Sequence, residues 1–171
     1  ESYDCTALYV GAMGNGRFIL GKDGRAVPFA GDDFLAVPPK TLCGTSTDIG
    51  MIYTEIILKK ENTILNNIIK AGQPTALKDL ISYEEGSIAN VDLVHADNMK
   101  FVLMAFDAGT SLPPHRAPGN VILTALEGKA IIDYEGQDYE LNAGESFRFD
   151  KNGLHSVTAQ GKFKMSLLLV I

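Results

Sequence analysis

The sequence has few of the residues that build disulfide frameworks or nucleic-acid surfaces. It contains 2 cysteines in 171 residues. Two cysteines are too few for a disulfide framework, so a reducing cytoplasm is the expected location. The net charge is −6, and the basic residues form no cluster. Nucleic acid and anionic membrane are therefore not expected as partners, because phosphate groups need a basic face.

Long apolar runs are also absent. The longest, such as residues 165–171, have the length of a strand, so no segment reaches membrane length. No signal peptide is visible, and the chain opens at Glu1 rather than Met, which leaves room for a removed N-terminal segment. The 46% of hydrophobic residues are enough to bury a core in one or two small domains.

Two stretches of the chain repeat the same order of strands and turns. Residues 16–34 show the pattern of a strand, a glycine hairpin, a second strand and a second glycine turn, and residues 128–147 show it again. Including the flanking strands, the repeat covers about residues 5–58 and 120–171. It predicts that Gly31 superposes on Gly144 and that Cys43 lies where the second copy has His155.

Two segments around the second copy each deliver one histidine. Residues 109–117 read Gly-Thr-Ser-Leu-Pro-Pro-His-Arg-Ala and close on a glycine at 128, and residues 143–155 run from Ala-Gly-Glu to a histidine. This pair resembles the two sequence motifs of the cupin superfamily. Members of that family fold as a small antiparallel β-barrel, in which a metal commonly sits on His-x-His and a Glu from the first motif and on a His from the second.

The resemblance implies that this chain keeps two of those four metal ligands. Counting back from the closing glycine, His115 stands at the first His position, Ala117 at the second and Val121 at the Glu position. His155 matches the histidine of the second motif. Asn120 lies within the first motif and is placed to meet a carboxylate or hydroxyl group at the barrel mouth.

The first copy has lost every usual ligand. Counting back from Gly14 puts Glu1 and Tyr3 at the two His positions and Ala7, give or take one, at the Glu position. Cys43 has no His near it in sequence to activate it, so a small buried residue is the favoured interpretation. Because this copy begins at its first motif, its missing strands must come from a preceding segment, from elsewhere in the chain or from a second subunit.

In the segment between the two copies, the apolar residues have the spacing of a helix rather than that of a strand. Ile64, Leu65, Ile68 and Ile69 suit one face of a short helix, with a capping residue before them and Gly72 after them. Residues 74–81 are expected to add another helical turn or two. Helices this short need a surface to pack on, so they are expected to connect the two copies against a barrel.

The fold predicted from these patterns is all-β, with two cupin-type antiparallel β-barrel (jelly-roll-like) copies joined by short helices. Residues 1–60 would form the partial N-terminal barrel, residues 61–81 the helical connector and residues 82–171 the C-terminal barrel. The resemblance also implies a homodimer.

His115 and His155 would converge inside the C-terminal barrel, beside Val121 and Asn120. Two imidazoles suit a divalent transition metal, or they suit an anionic or hydroxylated ligand that accepts their N–H groups. His95 matches neither motif and is expected on a strand surface.

Three functions stay open: a binding protein for a small polar molecule such as a sugar derivative or organic acid, a metal-dependent isomerase, lyase or dioxygenase, and a non-catalytic structural domain. Loss of two of the four ligand positions favours binding over metal-dependent catalysis. Retention of both histidines favours binding over a structural role.

Overall fold

The computed structural model describes residues 1–59 and 62–171. These residues form sixteen β-strands and a single 3₁₀ turn, Leu77–Leu80. Every strand pair is antiparallel, apart from one isolated parallel bridge. Within the described ranges, no helix has the length and apolar character needed to span a membrane. The all-β fold class predicted from the sequence is confirmed.

The chain divides into two compact units. The N-terminal unit consists of Glu1–Thr63 and Asn67–Leu77, and the C-terminal unit of Ile64–Asn66 and Lys78–Ile171. The strands of the N-terminal unit are β1 (Ala7–Leu20), β2 (Arg25–Ala30), β3 (Asp33–Val37), β4 (Cys43–Ser46), β5 (Met51–Ile57) and β7 (Thr75–Ala76). Those of the C-terminal unit are β6 (Ile64–Leu65), β8 (Ile88–Ala96), β9 (Met99–Phe106), β10 (Ser111–Arg116), β11 (Asn120–Glu127), β12 (Lys129–Tyr134), β13 (Gln137–Asn142), β14 (Ser146–Phe149), β15 (Leu154–Ala159) and β16 (Phe163–Val170).

One long strand organises the N-terminal unit. The first part of β1 pairs with β3 and β5, and its last part pairs with β2 and β4. In the C-terminal unit the same four pairings are divided between two strands: β11 pairs with β14 and β16, and β12 pairs with β13 and β15. Gly14 and Gly128 mark the change of partners, and both have a positive φ that favours glycine.

The strand registers of the two units also correspond. Leu20 faces Cys43 in the N-terminal unit as Tyr134 faces His155 in the C-terminal unit, so Cys43 stands where the repeat predicted it. The prediction for Gly31 is wrong by one residue. The paired strands on either side of the turn place it at the position of Ala143, because the two turns use their glycine at different points.

Each unit has its own apolar core, built from the alternate residues of its strands. Phe18 and Phe29 are central in the N-terminal unit, where Tyr9 packs on Phe18 with ring centroids 4.6 Å apart. Phe106 and Phe163 lie in the core of the C-terminal unit. The inward positions of β11 are apolar, as the sequence alternation predicted: Val121, Leu123 and Ala125 are all buried there.

The prediction of short connecting helices is wrong. The connector was predicted over residues 61–81, of which residue 61 lies outside the described residues. In residues 62–81 the only helical segment is the 3₁₀ turn, and Ile64–Leu65 form β6 instead, paired with His95 and Val94 of β8. The edge of β8 offers backbone partners that a short helix lacks: the Asn66 N–H donates to the Leu93 carbonyl at 2.9 Å. β-Branched and Asn residues are poor helix formers, and a helix this short is marginal in water, so sheet pairing wins.

Candidate functional site

The two motif histidines lie directly opposite each other on neighbouring strands. β10 carries His115 and β15 carries His155, and the two residues are partners in the strand register. Their ring centroids are 4.2 Å apart, with the ring planes inclined by 56°. Side chains that face each other across an antiparallel pair point to the same side of the sheet. The structure therefore brings together the two residues that the sequence singled out.

Backbone carbonyl groups fix the orientation of both rings. Nδ1 of His115 donates to the carbonyl of Pro113, and Nδ1 of His155 donates to the carbonyl of Gly153, each at 2.9 Å. Because a carbonyl oxygen only accepts, each Nδ1 carries the proton, and the lone pair of each neutral imidazole is on Nε2. In this arrangement both Nδ1–H groups are used by backbone carbonyls, so Nε2 is the atom of each ring that remains for a ligand.

The two histidines differ sharply in burial. His115 is exposed, whereas His155 is 2% exposed and stacks on Phe149 with ring centroids 4.0 Å apart and planes inclined by 14°. No buried side-chain nitrogen or oxygen of residues 1–59 and 62–171 lacks a hydrogen-bond partner. Among the described residues, the hydrogen-bond partner of the His155 ring is the Gly153 carbonyl, at Nδ1.

Burial also keeps His155 neutral. Desolvation lowers the pKa of its imidazole below the ordinary value, and the nearby His115 lowers it further, while the hydrogen bond to the Gly153 carbonyl opposes both. At neutral pH the buried ring is therefore an uncharged acceptor rather than a cationic donor.

Tyr134 is a neighbour of the site that the sequence did not single out. It faces His155 from β12, on the side away from β10, so both are on the same side of the sheet. Its ring lies 5.6 Å from that of Phe149, and its hydroxyl oxygen accepts the Asp150 N–H at 3.3 Å. The side-chain alternation along the strand after Gly128 predicts this position of Tyr134 once that strand is aligned with the strand of His155.

Val121 and Asn120 occupy different environments. Val121 is 1% exposed and faces Phe149 in the strand register, so it belongs to the apolar wall behind His155. Asn120 is exposed, and its Oδ1 accepts the Lys151 N–H at 3.0 Å, which ties β11 to the turn before β15. Arg116 points away from the histidines: it bonds to the Asn152 carbonyl and lies 3.7 Å from Glu135.

Within residues 1–59 and 62–171, no third His, Cys, Asp or Glu joins the two histidines in a group that could hold a metal ion. Ala117 and Val121, at the two other ligand positions of the family, have side chains without donor atoms. No group of three or more His, Cys, Asp or Glu residues that could hold a metal ion occurs among the described residues. The usual three-ligand catalytic site therefore does not fit, and the pair offers two nitrogen ligands, with each Nδ1–H already held by a carbonyl.

The corresponding position in the N-terminal unit has other chemistry. Glu1 and Cys43 exchange backbone hydrogen bonds at 2.8 and 2.7 Å, so Glu1 faces Cys43 as His115 faces His155. Burial raises the pKa of the Cys43 thiol, which opposes its use as a nucleophile. His95 is exposed on β8, 3.8 Å from the Asp92 carboxylate, as expected for a strand-surface residue.

Comparison with known proteins agrees with this topology. Residues 102–171 match the family model described as a cupin domain. This segment of the C-terminal unit is therefore a cupin domain. The matched residues include both histidines and all strands from β10 to β16. No curated protein matches the sequence.

Solved cupin structures resemble the chain over different lengths. A Cupin 2 conserved barrel domain protein from Leptotrichia buccalis has a TM-score of 0.84 and 26% identity, covering 100% of this chain and 76% of that one. A cupin superfamily protein from Desulfitobacterium hafniense has a TM-score of 0.60 and 24% identity, covering 63% and 98%. Salicylate 1,2-dioxygenase from Pseudoaminobacter salicylatoxidans has a TM-score of 0.66 at 12% identity, covering 99% and 63%, a likeness of fold alone.

Proposed function

We propose that this cupin binds a small hydroxylated molecule, such as a sugar derivative, at His115 and His155 of the C-terminal unit. The observation that carries the proposal is the pair of Nδ1 hydrogen bonds to backbone carbonyls. They leave two Nε2 acceptors close together, and a hydroxyl group has the hydrogen that such acceptors need. The neighbouring aromatic rings of Phe149 and Tyr134 add an apolar surface of the kind found in small-molecule sites.

The same observation disfavours an organic acid at neutral pH. An ionised carboxylate only accepts hydrogen bonds, so it can bind the pair only after Nε2 has been protonated. The lowered pKa of His155 makes that protonation harder. Between the two ligand classes suggested by the sequence, the hydroxylated one fits a pair of Nε2 acceptors better.

A titration with two sets of probes tests the proposal. EDTA-treated protein is titrated with neutral monosaccharides and, separately, with citrate and malate, while the imidazole signals of His115 and His155 are followed by NMR. We expect a neutral sugar to shift both sets of signals at pH 7.5, and its affinity to fall as the pH is lowered through the histidine range. Carboxylate binding that strengthens at low pH, with no response to any sugar, would contradict the proposal.

His155→Phe is the matched variant for this titration. It keeps an aromatic ring on Phe149 but removes the Nε2 acceptor, so sugar binding should be lost while the fold is kept. His95→Gln, at an exposed histidine outside the site, should leave binding unchanged.

A metal-dependent enzyme of the isomerase, lyase or dioxygenase class is the second candidate. It is favoured by one feature of the same geometry: both rings present Nε2 while Nδ1–H is held by a carbonyl, the usual support of metal-bound histidines. Titration calorimetry with Zn²⁺ as the probe should then show one site per chain that is lost in His155→Phe and weakened by acid. If calorimetry shows no heat of binding to the wild-type protein, this candidate is rejected and the first is untouched.

We also propose that the N-terminal unit is a second, incomplete cupin copy. The support is the shared set of strand pairings and registers, including Glu1 opposite Cys43. This copy has no histidine, so the ligand site is assigned to the C-terminal unit.

A further inference from the structure

The carbonyl that accepts the ring proton of His155 belongs to a peptide unit with a second partner. Nδ1 of His155 donates to the Gly153 carbonyl at 2.9 Å. The N–H of the same peptide unit is that of Leu154, and it donates to Oε1 of Glu135 at 2.6 Å. This peptide is trans, so it is planar and its C=O and N–H point in opposite directions. The bond to Glu135 therefore fixes the direction in which the Gly153 carbonyl faces.

The backbone at Gly153 needs such support because glycine has the greatest conformational freedom. A Cβ at this position would lie 2.6 Å from the ring carbon Cε2 of Tyr134, so the close packing of that ring favours glycine. The peptide unit before Gly153 is held by Arg116, which donates to the Asn152 carbonyl. Side chains from β10 and from the hairpin between β12 and β13 thus hold the backbone on both sides of the glycine.

The backbone conformation of Glu135 is unusual for a glutamate. Glu135 and Gly136 form the two-residue hairpin between β12 and β13, with φ values of 53° and 82°. Hairpins with two positive φ values favour Asn, Asp or Gly at the first position, and residues held in this region are found where a side chain has a task. The turn itself gives no reason for a glutamate, whereas the bond from the Leu154 N–H does.

The acceptor of the other histidine is oriented by different means. His115 donates to the carbonyl of Pro113, whose peptide unit continues into Pro114 and has no N–H. The two proline rings fix φ at this position, so the carbonyl is held without a carboxylate. Each histidine thus has an oriented acceptor, and the one at His155 depends on Glu135.

We propose that Glu135 is a positioning residue for His155. Its carboxylate orients the peptide unit between Gly153 and Leu154, and the Gly153 carbonyl then keeps the proton on Nδ1 and the lone pair on Nε2. A charged acceptor makes a stronger hydrogen bond than a neutral one, and linked hydrogen bonds strengthen one another. The consequence for ligand binding rests on the proposed function, whereas the place of the ring proton can be measured without a ligand.

NMR of the ligand-free protein with ¹⁵N-labelled histidine tests the proposal, because protonated and unprotonated ring nitrogens give well-separated signals. At about pH 8 an ordinary imidazole is neutral. In Glu135→Gly, we expect the Nδ1 signal of His155 to move towards that of an unprotonated nitrogen and the Nε2 signal to move the opposite way. Glycine suits a positive φ, so this variant removes the carboxylate without straining the turn. Glu135→Gln keeps an oxygen acceptor, so its signals should lie between those of the wild type and Glu135→Gly.

Arg148→Ala is the matched control. Its exposed guanidinium pairs with Asp150 at 2.7 Å, in the turn that leads to Gly153, so the variant removes an ion pair without touching the peptide unit of Leu154. The ring signals of His155 should then stay as in the wild type. His115 is a control within each sample and should keep its Nδ1 proton in every variant.

Two results would overturn the proposal: the same tautomer of His155 in Glu135→Gly as in the wild type, and an equal change of tautomer in Arg148→Ala. If Glu135→Gly fails to fold, which far-UV circular dichroism will show, the same measurement on Glu135→Ala decides.

Titration of the same variants with a neutral monosaccharide separates this proposal from the proposed function. The dissociation constant should rise in proportion as the fraction of His155 with a protonated Nδ1 falls, because that form offers Nε2 as an acceptor. If the tautomer changes in Glu135→Gly but no sugar binds to the wild type, the proposed function fails and the role of Glu135 is supported.

Discussion

At the scale of the residue, His155 has an environment that differs from that of a free histidine side chain. Burial and the neighbouring His115 lower the pKa of its imidazole. In the unfolded chain this histidine has the ordinary pKa of about 6.5. Between the folded and unfolded pKa values the unfolded chain binds the extra proton, so the folded state loses stability there.

A pH series on His155→Phe tests this linkage. The contribution of His155 to the free energy of unfolding is fully present above about pH 6.5 and is lost as the pH falls through the folded pKa. We therefore expect the wild type to lose more stability between pH 7 and pH 5 than His155→Phe, measured by urea unfolding. His95→Gln is the control at an exposed histidine and should follow the wild type. Parallel curves for the wild type and His155→Phe would show that burial of this ring is not linked to pH.

Glycines that separate strands act at the scale of the element. Gly128 divides β11 from β12 with a φ of 76°, and a Cβ there would overlap the carbonyl oxygen of Lys162. Gly136, in the hairpin between β12 and β13, has a similar φ of 82° but leaves open space around a Cβ. At both positions a residue with a side chain would be strained by the positive φ. Only at Gly128 does another part of the backbone also approach closely.

Alanine at each position separates the two effects. Gly136→Ala should lower the free energy of unfolding by about 1–2 kcal/mol, the strain of the left-handed region alone. Gly128→Ala should cost roughly 3 kcal/mol or more, since the overlap with the Lys162 carbonyl is added. Urea unfolding of the two variants gives the difference directly. Equal losses would mean that the neighbouring strand gives way without cost.

At the scale of the whole molecule, each of the two units contains an apolar core. Phe18 is fully buried in the N-terminal unit, and Phe163 is fully buried in the C-terminal unit. Each unit therefore has its own source of hydrophobic stabilisation.

Truncating one core at a time should show this in hydrogen exchange. Phe18→Ala and Phe163→Ala each remove a buried aromatic ring and should cost about 3–5 kcal/mol. We expect Phe18→Ala to speed amide exchange most in β1–β5, and Phe163→Ala to do so most in β8–β16. The same exchange pattern in both variants would indicate a single cooperative unit instead.

The strands and turns of the chain could be predicted from local patterns. Glycine turns and alternating apolar residues predicted strands in both parts of the chain, and the two histidines singled out by the motifs face each other in the strand register. These features are local because side chains alternate every second residue along a strand and glycine marks the turns that need positive φ. The one-residue error at Gly31 arose where the two turns use glycine at different points.

Only the tertiary structure decided which nitrogens of the two histidines carry protons and which secondary structure the connector forms. Which ring nitrogen keeps its proton depends on the carbonyls of Pro113 and Gly153, and the lowered pKa of His155 depends on the burial of its ring by the folded chain. The apolar spacing of residues 62–72 suited a helix, but the edge of β8 drew Ile64–Leu65 into the sheet. The sequence by itself determined the order of strands and the position of the histidines, because those follow from short-range periodicity. Hydrogen-bond partners, burial and edge pairing depend on segments far apart in the chain, and only the packed structure brings them together.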